Sequence, residues 1–430
     1  MVLFQVFEKR KDPSAAATKI RRSVVFLLTP EVTQLLLDVG IQVPSGKFSN
    51  GITAYQHTTI TDPSGNVKTF RMQIDNGKRV LTERQCVANA VLQAAVSQKL
   101  PNLEFVFESA CEDVDVGAKV VRFSNGDGEM EEVPYDLLIG ADGANSLVRG
   151  ALQNSGHVEF TQKKCRQKYI CVRDIPASDD LAAEVGVVNF FQAKKKWLEE
   201  TPVNAVYYRS ENNRIQMNFL ATEKAFENLK GIESEWTQEA FPPSIPREWR
   251  DRIASALQKG DLSTIGPVTY CSSYIGPNIA LIGDACHSAT PTLGIGANQA
   301  ILDVKALDGA LGKSNGNMEE ALQAYDQETR PQVAAIQELE KNHVFSLLEG
   351  QDPFWKAFHF IYFQFHRHGS RWLPKVIPPS VFQQLGASAI TPKEALEKFC
   401  REAFIFSGIV GAAACVAAAL GLKAFSGGVV

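Results

Sequence analysis

Three observations predict an α/β fold. Short apolar runs alternate with helical patterns over the first 150 residues, and the alternation returns at NIALIGDA (278–285) after a strand-rich middle block. Two of the apolar runs end in turns that place an Asp beside a Gly, where open α/β sheets present their ligand-binding groups. The middle block therefore reads as an insertion into a fold that the later segment completes. A length of 430 residues fits two intertwined domains, or one domain with a large insertion.

The elements follow in order. FQVFEKR (4–10) is a strand with Glu8 at its end and charges at its exit. TPEVTQLLLDVG (29–40) is a helix, signalled by a Thr cap, a Pro at the first helical position and a terminal Gly. LTERQCVANAVLQAAVSQ (81–98) is a second helix; NLEFVFES and AKVVRFSN are strands. PYDLLIGADGANSLVRGAL runs from a buried strand through a Gly/Asp turn into a helix start. YICVRDI, VGVVNFF, VNAVYYRS and RIQMNFLA are strand-like runs parted by polar turns, which predicts an antiparallel sheet over about 165–265. WTQEAF to ASALQKG is then helical. NIALI is a buried strand, GDACHSATPTLGIGAN (283–298) a Gly-rich turn, and AILDVKALDGAL a helix. Aromatics at 354, 358, 361/362 and 365 share one helical face, for core packing or for an interfacial helix.

Composition narrows the function. A net charge of −4 gives no electrostatic reason to expect a nucleic acid as partner. The eight cysteines are scattered without CxxC pairs, the pattern of buried thiols in a reducing compartment, and His359, His366 and His368 lack a second ligand cluster, so no metal site is expected. Residues 403–422 hold no charge across twenty positions, enough to span a bilayer as a helix. The expectation is a C-terminal membrane anchor, with a buried or amphipathic helix as the alternative. Lys398 and Arg401 on its N-terminal side put the bulk of the chain in the cytosol, on the mitochondrial outer membrane or another organelle membrane.

Three segments carry chemistry. In GDACHSATPTLGIGAN the Asp284 carboxylate, at a strand's carboxyl end, accepts hydrogen bonds from hydroxyls. Gly294 and Gly296 let backbone approach a flat ligand, and the following helix aims the N–H groups of Ala297 and Asn298 at it. A ligand edge that gains negative charge is stabilised there, as the pyrimidine edge of a reduced flavin would be. A plain strand-to-helix turn with glycines for packing is the competing reading, and the loop lacks the Lys of a phosphate-binding loop. In DLLIGADGANSLVR (136–149), Asp142 and Arg149 are placed to face a ribose or pyrophosphate. In FQVFEKR, Glu8 stands where dinucleotide-binding folds place the acid that takes the adenosine ribose hydroxyls.

In this order FQVFEKR, GADGANSLVR and GDACHSATPTLGIGAN resemble the ribose-binding strand end, the DG motif and the GD motif of single-component FAD-dependent aromatic hydroxylases. Within that group RRSVVFLLT (21–29), TERQ, the spacing from Asp284 to Asn298 and the C-terminal hydrophobic stretch are most similar to the kynurenine 3-monooxygenases. The resemblance covers roughly residues 1–345 and is weakest in the middle block. It implies a Rossmann-like FAD-binding domain of glutathione-reductase type with an inserted antiparallel substrate domain, plus C-terminal helices. The boundaries are 1–164 and 265–345 for the two parts of the FAD domain, 165–264 for the substrate domain, 346–402 for the helical region and 403–422 for the anchor. It implies that Glu8 binds the adenosine ribose, Arg84 the FAD phosphate or ribityl region, Asp284 the ribityl chain, and Ala297 and Asn298 the pyrimidine edge. Arg10, Arg22, Leu27 and Cys111 match further cofactor-lining positions, and Pro291 lies near the isoalloxazine ring. His287 is a structural hydrogen-bonder or a catalytic group. The implied reaction is reduction of FAD by NADPH, oxygen addition as a flavin C4a-hydroperoxide, and hydroxylation of an aromatic or related small molecule, with no side-chain nucleophile. The alternatives are an epoxidase or reductase of a lipophilic isoprenoid, or a membrane-tethered non-catalytic relative.

The sequence departs from that family twice. No GxGxxG turn precedes the ribose-binding acid, so the chain starts at the family's second strand, as an incomplete version of a longer protein or a degenerate relative would. The Arg and Tyr that hold a substrate carboxylate in kynurenine 3-monooxygenases fall near Thr58 and Lys78, and Asn342 or His343 stands at the nearby Asn. Thr does not reproduce a bidentate Arg clamp, which leaves Lys78, Asn342 and His343 as the substrate-binding candidates.

Overall fold

The computed structural model describes residues 3–12, 25–41, 53–61, 67–75, 80–165, 167–176, 187–192, 204–209, 214–241, 246–260, 262–290, 293–340, 353–373, 375–406 and 408. The expected α/β part is built from two parallel pairings. Strand Phe4–Glu8 lies beside Leu103–Phe107, and Leu138–Gly140 lies beside Ile279–Leu281 with Ile275–Gly276 on its far side. A three-stranded antiparallel sheet, Ala110–Asp115, Val120–Ser124 and Met130–Pro134, packs on this part. The Phe7 and Phe123 rings stack with centroids 3.9 Å apart.

Ile279, Ala280 and Leu281 are completely buried, as the uninterrupted apolar run requires of a strand covered on both faces. Their cluster extends through Val148, Leu152, Leu307 and Tyr325, so helices Leu147–Asn154, Gly296–Lys313 and Met318–Leu339 share one core with the strand. Burying apolar side chains of this kind contributes roughly 1.5–3 kcal/mol each. Helix Pro30–Asp38 forms as its cap signals require, with the Thr29 hydroxyl accepting from Val32 N.

The second sheet has seven strands in the order Ser263–Thr264, Gln167–Pro176, Arg214–Thr222, Asn204–Arg209, Val187–Gln192, Thr53–Thr61, Val67–Asp75. It is antiparallel except where Val187–Gln192 runs parallel to Thr53–Thr61. The sheet is therefore not confined to 165–264: the hairpin 53–75, from within the stretch assigned to the first FAD-domain part, supplies its last two strands. Along Arg214–Thr222 the alternation is strict, with Ile215, Met217, Phe219 and Ala221 buried against Trp236, Trp249 and Ile253. The helical segment after this strand comprises Glu233–Ala240 and Arg247–Lys259, the second opening directly after Pro246.

At the C-terminal end, helix Pro353–Trp372 packs Phe358 and Tyr362 against Val381, Leu385 and Phe399. Among the described side chains of that face Phe358 and Tyr362 enter the core, and Ile361 and Phe365 stay exposed. Residues 403–422, expected as a membrane anchor, lie for the most part outside the described residues. Among the described residues no helix is long and apolar enough to cross a membrane.

Candidate active site

Gly140 sits opposite Leu281 in the parallel register, so the two strands end at the same sheet edge and release Asp142 and Asp284 side by side in the topology. Glycine at 140 is dictated by packing: a Cβ there would lie 2.8 Å from Leu281 Cδ2 and 2.9 Å from Val148 Cβ. Gly283 turns the chain at φ 59°, in the left-handed region, with its absent Cβ only 3.0 Å from Ala300 Cβ. The turn thus rests directly on helix Gly296–Lys313. Asp284 opens the helical turn Asp284–His287 and is exposed, which leaves its carboxylate to a ligand. Asp142 is also exposed, but its Oδ2 accepts from Leu147 N at 2.6 Å and Val148 N at 3.3 Å and so caps the helix that follows. Only its other oxygen faces outward tasks.

Arg149 does not reach for a phosphate. It is buried, donating from Nη1 to Ala285 O at 2.6 Å and from Nη2 to Ala144 O at 2.9 Å, with its guanidinium 4.3 Å from the centre of the Phe160 ring. One side chain therefore ties the two Gly/Asp turns together. Burial holds its pKa below the ordinary arginine value.

Asp303 is the group that reading the sequence missed. Fully buried on helix Gly296–Lys313, it accepts from Gly283 N at 2.8 Å, lies 2.5 Å from His287 Nε2 and accepts from Gln299 Nε2 at 3.0 Å. His287, of the two roles the sequence leaves open, makes a buried hydrogen bond to Asp303. Burial alone pushes an imidazole down, but the charge and hydrogen bond of Asp303 outweigh it and hold His287 above the ordinary value. Cys286, His287 and Asp303 bring their donor atoms within 4.8 Å of one another. All three are engaged inside the protein, the Cys286 thiol with Leu281 O and Gly283 O.

The start of helix Gly296–Lys313 has no side-chain cap hydrogen bond, as an amide cradle for a ligand requires. Gly294, at φ 65°, has open space where a Cβ would be. The Asn298 side chain is turned inward: its Oδ1 accepts from Thr29 N at 2.8 Å, and its Nδ2 donates to Leu27 O at 2.7 Å and Gly294 O at 3.0 Å. Its backbone amide is what remains for a ligand, together with that of Ala297. Leu27 enters the site through its carbonyl, by fixing Asn298. These groups fit a flavin, with an uncapped amide pair for carbonyl acceptors and an exposed carboxylate for hydroxyl donors.

Glu8 ends its strand as expected, half-buried, with Oε1 accepting from Arg10 N at 2.9 Å. Arg10 itself is exposed. Cys111 is half-buried on strand Ala110–Asp115; burial, with Asp142 and Asp113 nearby, pushes its thiol up to about 11, so it stays neutral. Arg84 is the first residue of helix Arg84–Ser97. Arg22, Lys78, Pro291, Asn342 and His343 lie outside the described residues.

A family model described as an FAD binding domain matches residues 54–340, well over half of the chain. The chain belongs to this FAD-binding family. Curated relatives of the family member described here include violacein synthase of Chromobacterium violaceum, 26% identical over 68% of this chain and 69% of its own. Kynurenine 3-monooxygenase of Candida albicans is 23% identical over 80% of this chain and 74% of its own. Kynurenine 3-monooxygenase of Phaeosphaeria nodorum is 26% identical over 56% of this chain, and the match spans only 50% of that relative's length. Among solved structures, PqsL, a probable FAD-dependent monooxygenase from Pseudomonas aeruginosa, superposes with a TM-score of 0.57 at 18% identity, covering 80% of this chain and 89% of its own. 2-methyl-3-hydroxypyridine-5-carboxylic acid oxygenase superposes with a TM-score of 0.57 at 17% identity, covering 79% and 86%. At such identities the structures speak for the fold alone. The expected FAD-binding α/β fold, the likeness to the FAD-dependent aromatic hydroxylases and the assignment as an oxidoreductase are borne out.

Proposed function

We propose that the protein is an FAD-dependent monooxygenase that uses NADPH and O2 to hydroxylate an aromatic or related small molecule. One observation carries the reading: the exposed Asp284 opens a turn that rests on helix Gly296–Lys313, whose start carries the uncapped amides at Gly296–Asn298, and this turn is braced from behind by Asp303 and from the side by Arg149. FAD bound there supplies the exchange of electrons between the nicotinamide and O2 that side chains cannot perform. The chain's own residues position and polarise. Asp284 accepts hydrogen bonds from ribityl hydroxyls, and Glu8 accepts them from the adenosine ribose. The Ala297 and Asn298 amides stabilise negative charge at the pyrimidine edge through the helix dipole. Gly294 leaves the backbone open to a flat ring.

The substrate belongs against the second sheet. Its face turned away from the helices carries Tyr169, Cys171 and Arg173 beside Gln216 and Asn218, a half-buried polar surface on which Cys171 Sγ lies 2.8 Å from Asn218 Oδ1. Polar groups of this kind orient an acidic or amide-bearing aromatic compound. Lys78, Asn342 and His343 remain candidates for the carboxylate end.

The test is to load the full chain with FAD, follow anaerobic bleaching of the flavin spectrum by NADPH, and then measure O2-dependent NADPH oxidation with a panel of aromatic acids and amines. Hydroxylated product with matching O2 uptake supports the reading. NADPH oxidation that neither consumes O2 nor yields a hydroxylated compound overturns it in favour of a reductase.

A further inference from the structure

Three segments of the C-terminal region meet at one buried histidine that the FAD site does not use. His366, on helix Pro353–Trp372, is 3% exposed, and its ring lies among those of Tyr362, Phe365 and Phe406, with centroids 4.5, 5.4 and 6.4 Å away. Its Nδ1 stands 2.9 Å from Pro378 O, just ahead of helix Val381–Gly386. Its Nε2 stands 3.4 Å from Glu402 Oε2, on the helix 392–406. Both neighbours are acceptors. A carbonyl oxygen has no proton to give, and the same Glu402 oxygen already accepts from Tyr362 Oη at 2.7 Å. A neutral imidazole carries one N–H, so it leaves the lone pair of its other nitrogen against an oxygen. Only the doubly protonated ring serves both sides. Nε2 is buried and, at its distance from Glu402, short of a hydrogen bond.

We propose that His366 and Glu402 form a proton-dependent clasp that holds helix 392–406 against helix Pro353–Trp372, closed when the imidazole carries two protons and the carboxylate none. The FAD site plays no part in it. With the second proton present, Nε2–H is directed at a carboxylate and a buried charged contact joins the two helices. Without it, a lone pair faces a carboxylate away from water, and the contact turns repulsive. Burial pushes the Glu402 carboxyl up, but its contacts with His366 and Tyr362 outweigh that and hold it below the ordinary carboxylate value. Burial, with the bond to Glu402, pushes the Tyr362 phenol above its ordinary value, so it stays a donor in either state of the ring. The clasp therefore opens as the pH rises and the imidazole gives up its second proton. Among the described residues, Tyr362 and Glu402 are the titratable groups that face the ring. Lys398, one turn before Glu402, acts on it through charge and donates to Gln384 Oε1 at 2.9 Å. His368, Lys375 and Arg401 are exposed. The clasp secures the seat of Phe399 and Phe406, which pack edge-on against Phe358 and Tyr362, and the helix that carries them runs into the uncharged stretch 403–422.

The experiment measures amide hydrogen exchange of helix 392–406 by mass spectrometry in the full chain, wild type, His366→Gln and Glu402→Gln, from about pH 5.5 to about pH 8.5, with labelling times scaled to the intrinsic rate. Expected in wild type is an opening of the helix about tenfold more frequent at the alkaline end, from the loss of one bond to a charged group. That rise is gone in H366Q, whose amide donates at every pH, and in E402Q, whose amide donates to the neutral Nε2. Tyr362→Phe, which removes one bond to Glu402 without touching the proton, raises opening at every pH and keeps the slope. Ring-nitrogen NMR of the wild type at about pH 5.5, assigned through the signal that moves in Y362F, is the readout that needs neither Gln variant to fold: both His366 nitrogens are expected to carry protons there. A neutral His366 ring at that pH, a flat wild-type exchange profile, or the same slope in wild type and both Gln variants overturns the proposal.

Discussion

Replacing Asp303 by Leu keeps the volume and removes the acceptor on which the Gly/Asp turn is built. Three donors lose their partner: Gly283 N at 2.8 Å, His287 Nε2 at 2.5 Å and Gln299 Nε2 at 3.0 Å, around a residue with no exposed surface. Each orphaned buried donor costs about 1–3 kcal/mol, and breaking a buried charged pair about 3–5 kcal/mol. The three share one carboxylate, so the penalties do not add, and we expect D303L to lose about 4 kcal/mol near neutral pH. Asp303→Asn keeps one acceptor oxygen and should lose about 2 kcal/mol. Urea unfolding followed by tryptophan fluorescence measures both. The pH sign follows from His287, whose folded value is held above the ordinary 6.5 by Asp303. The pair's contribution is whole below about pH 6.5 and is lost as the pH rises through the higher folded value, so the gap between wild type and D303L narrows on the alkaline side. A D303L protein within about 1 kcal/mol of wild type below pH 6.5 refutes the view that this carboxylate holds the turn.

Further outcomes follow from the same contacts. Arg149→Met keeps the aliphatic stem but abandons the carbonyls of Ala144 and Ala285; a loss of about 2–3 kcal/mol is expected by urea unfolding, with weaker FAD binding as the turns separate. Asn298→Ala strips the buried Thr29 amide of its acceptor and should cost about 2–3 kcal/mol, with faster amide exchange at the start of helix Pro30–Asp38. Glu340 has its folded value raised from 4.5 to about 7, so its stabilising contribution is complete below about pH 4.5 and is lost as the pH climbs through 7. E340Q should therefore flatten the fall in stability over that window, by on the order of 3 kcal/mol, in thermal melts taken across it.

The strand NIALI and the turn after it were legible because an apolar run, a Gly-Asp pair and a helical pattern are local signals. So was helix Pro30–Asp38, whose Thr and Pro both act within one turn. Glu8 fell at its strand end for the same reason. The inward use of Arg149 and Asn298 was not legible, because their partners at Ala285 and Thr29 lie 136 and 269 residues away. Asp303 looked like one more polar position on an amphipathic helix. A faint signal existed in its spacing of four from Gln299, which is one helical turn and puts both on the buried side. The hairpin 53–75 was assigned to the wrong neighbourhood for a topological reason: it pairs with a strand more than a hundred residues later, through a parallel register that no local pattern announces.

The central claim is that the Asp284 turn and the amides after Gly296 grip a flavin. Its most direct test is the visible absorption spectrum of the full chain after incubation with FAD and gel filtration, compared with Asp284→Ala and with Gly296→Val. The account predicts retained flavin in wild type and at least a tenfold loss of affinity, about 1.4 kcal/mol, in each variant, while both melt like wild type because Asp284 is exposed and a Cβ at Gly296 meets only Ala289 Cβ, at an ordinary 3.9 Å. Retention of flavin by D284A and G296V at wild-type strength would contradict it.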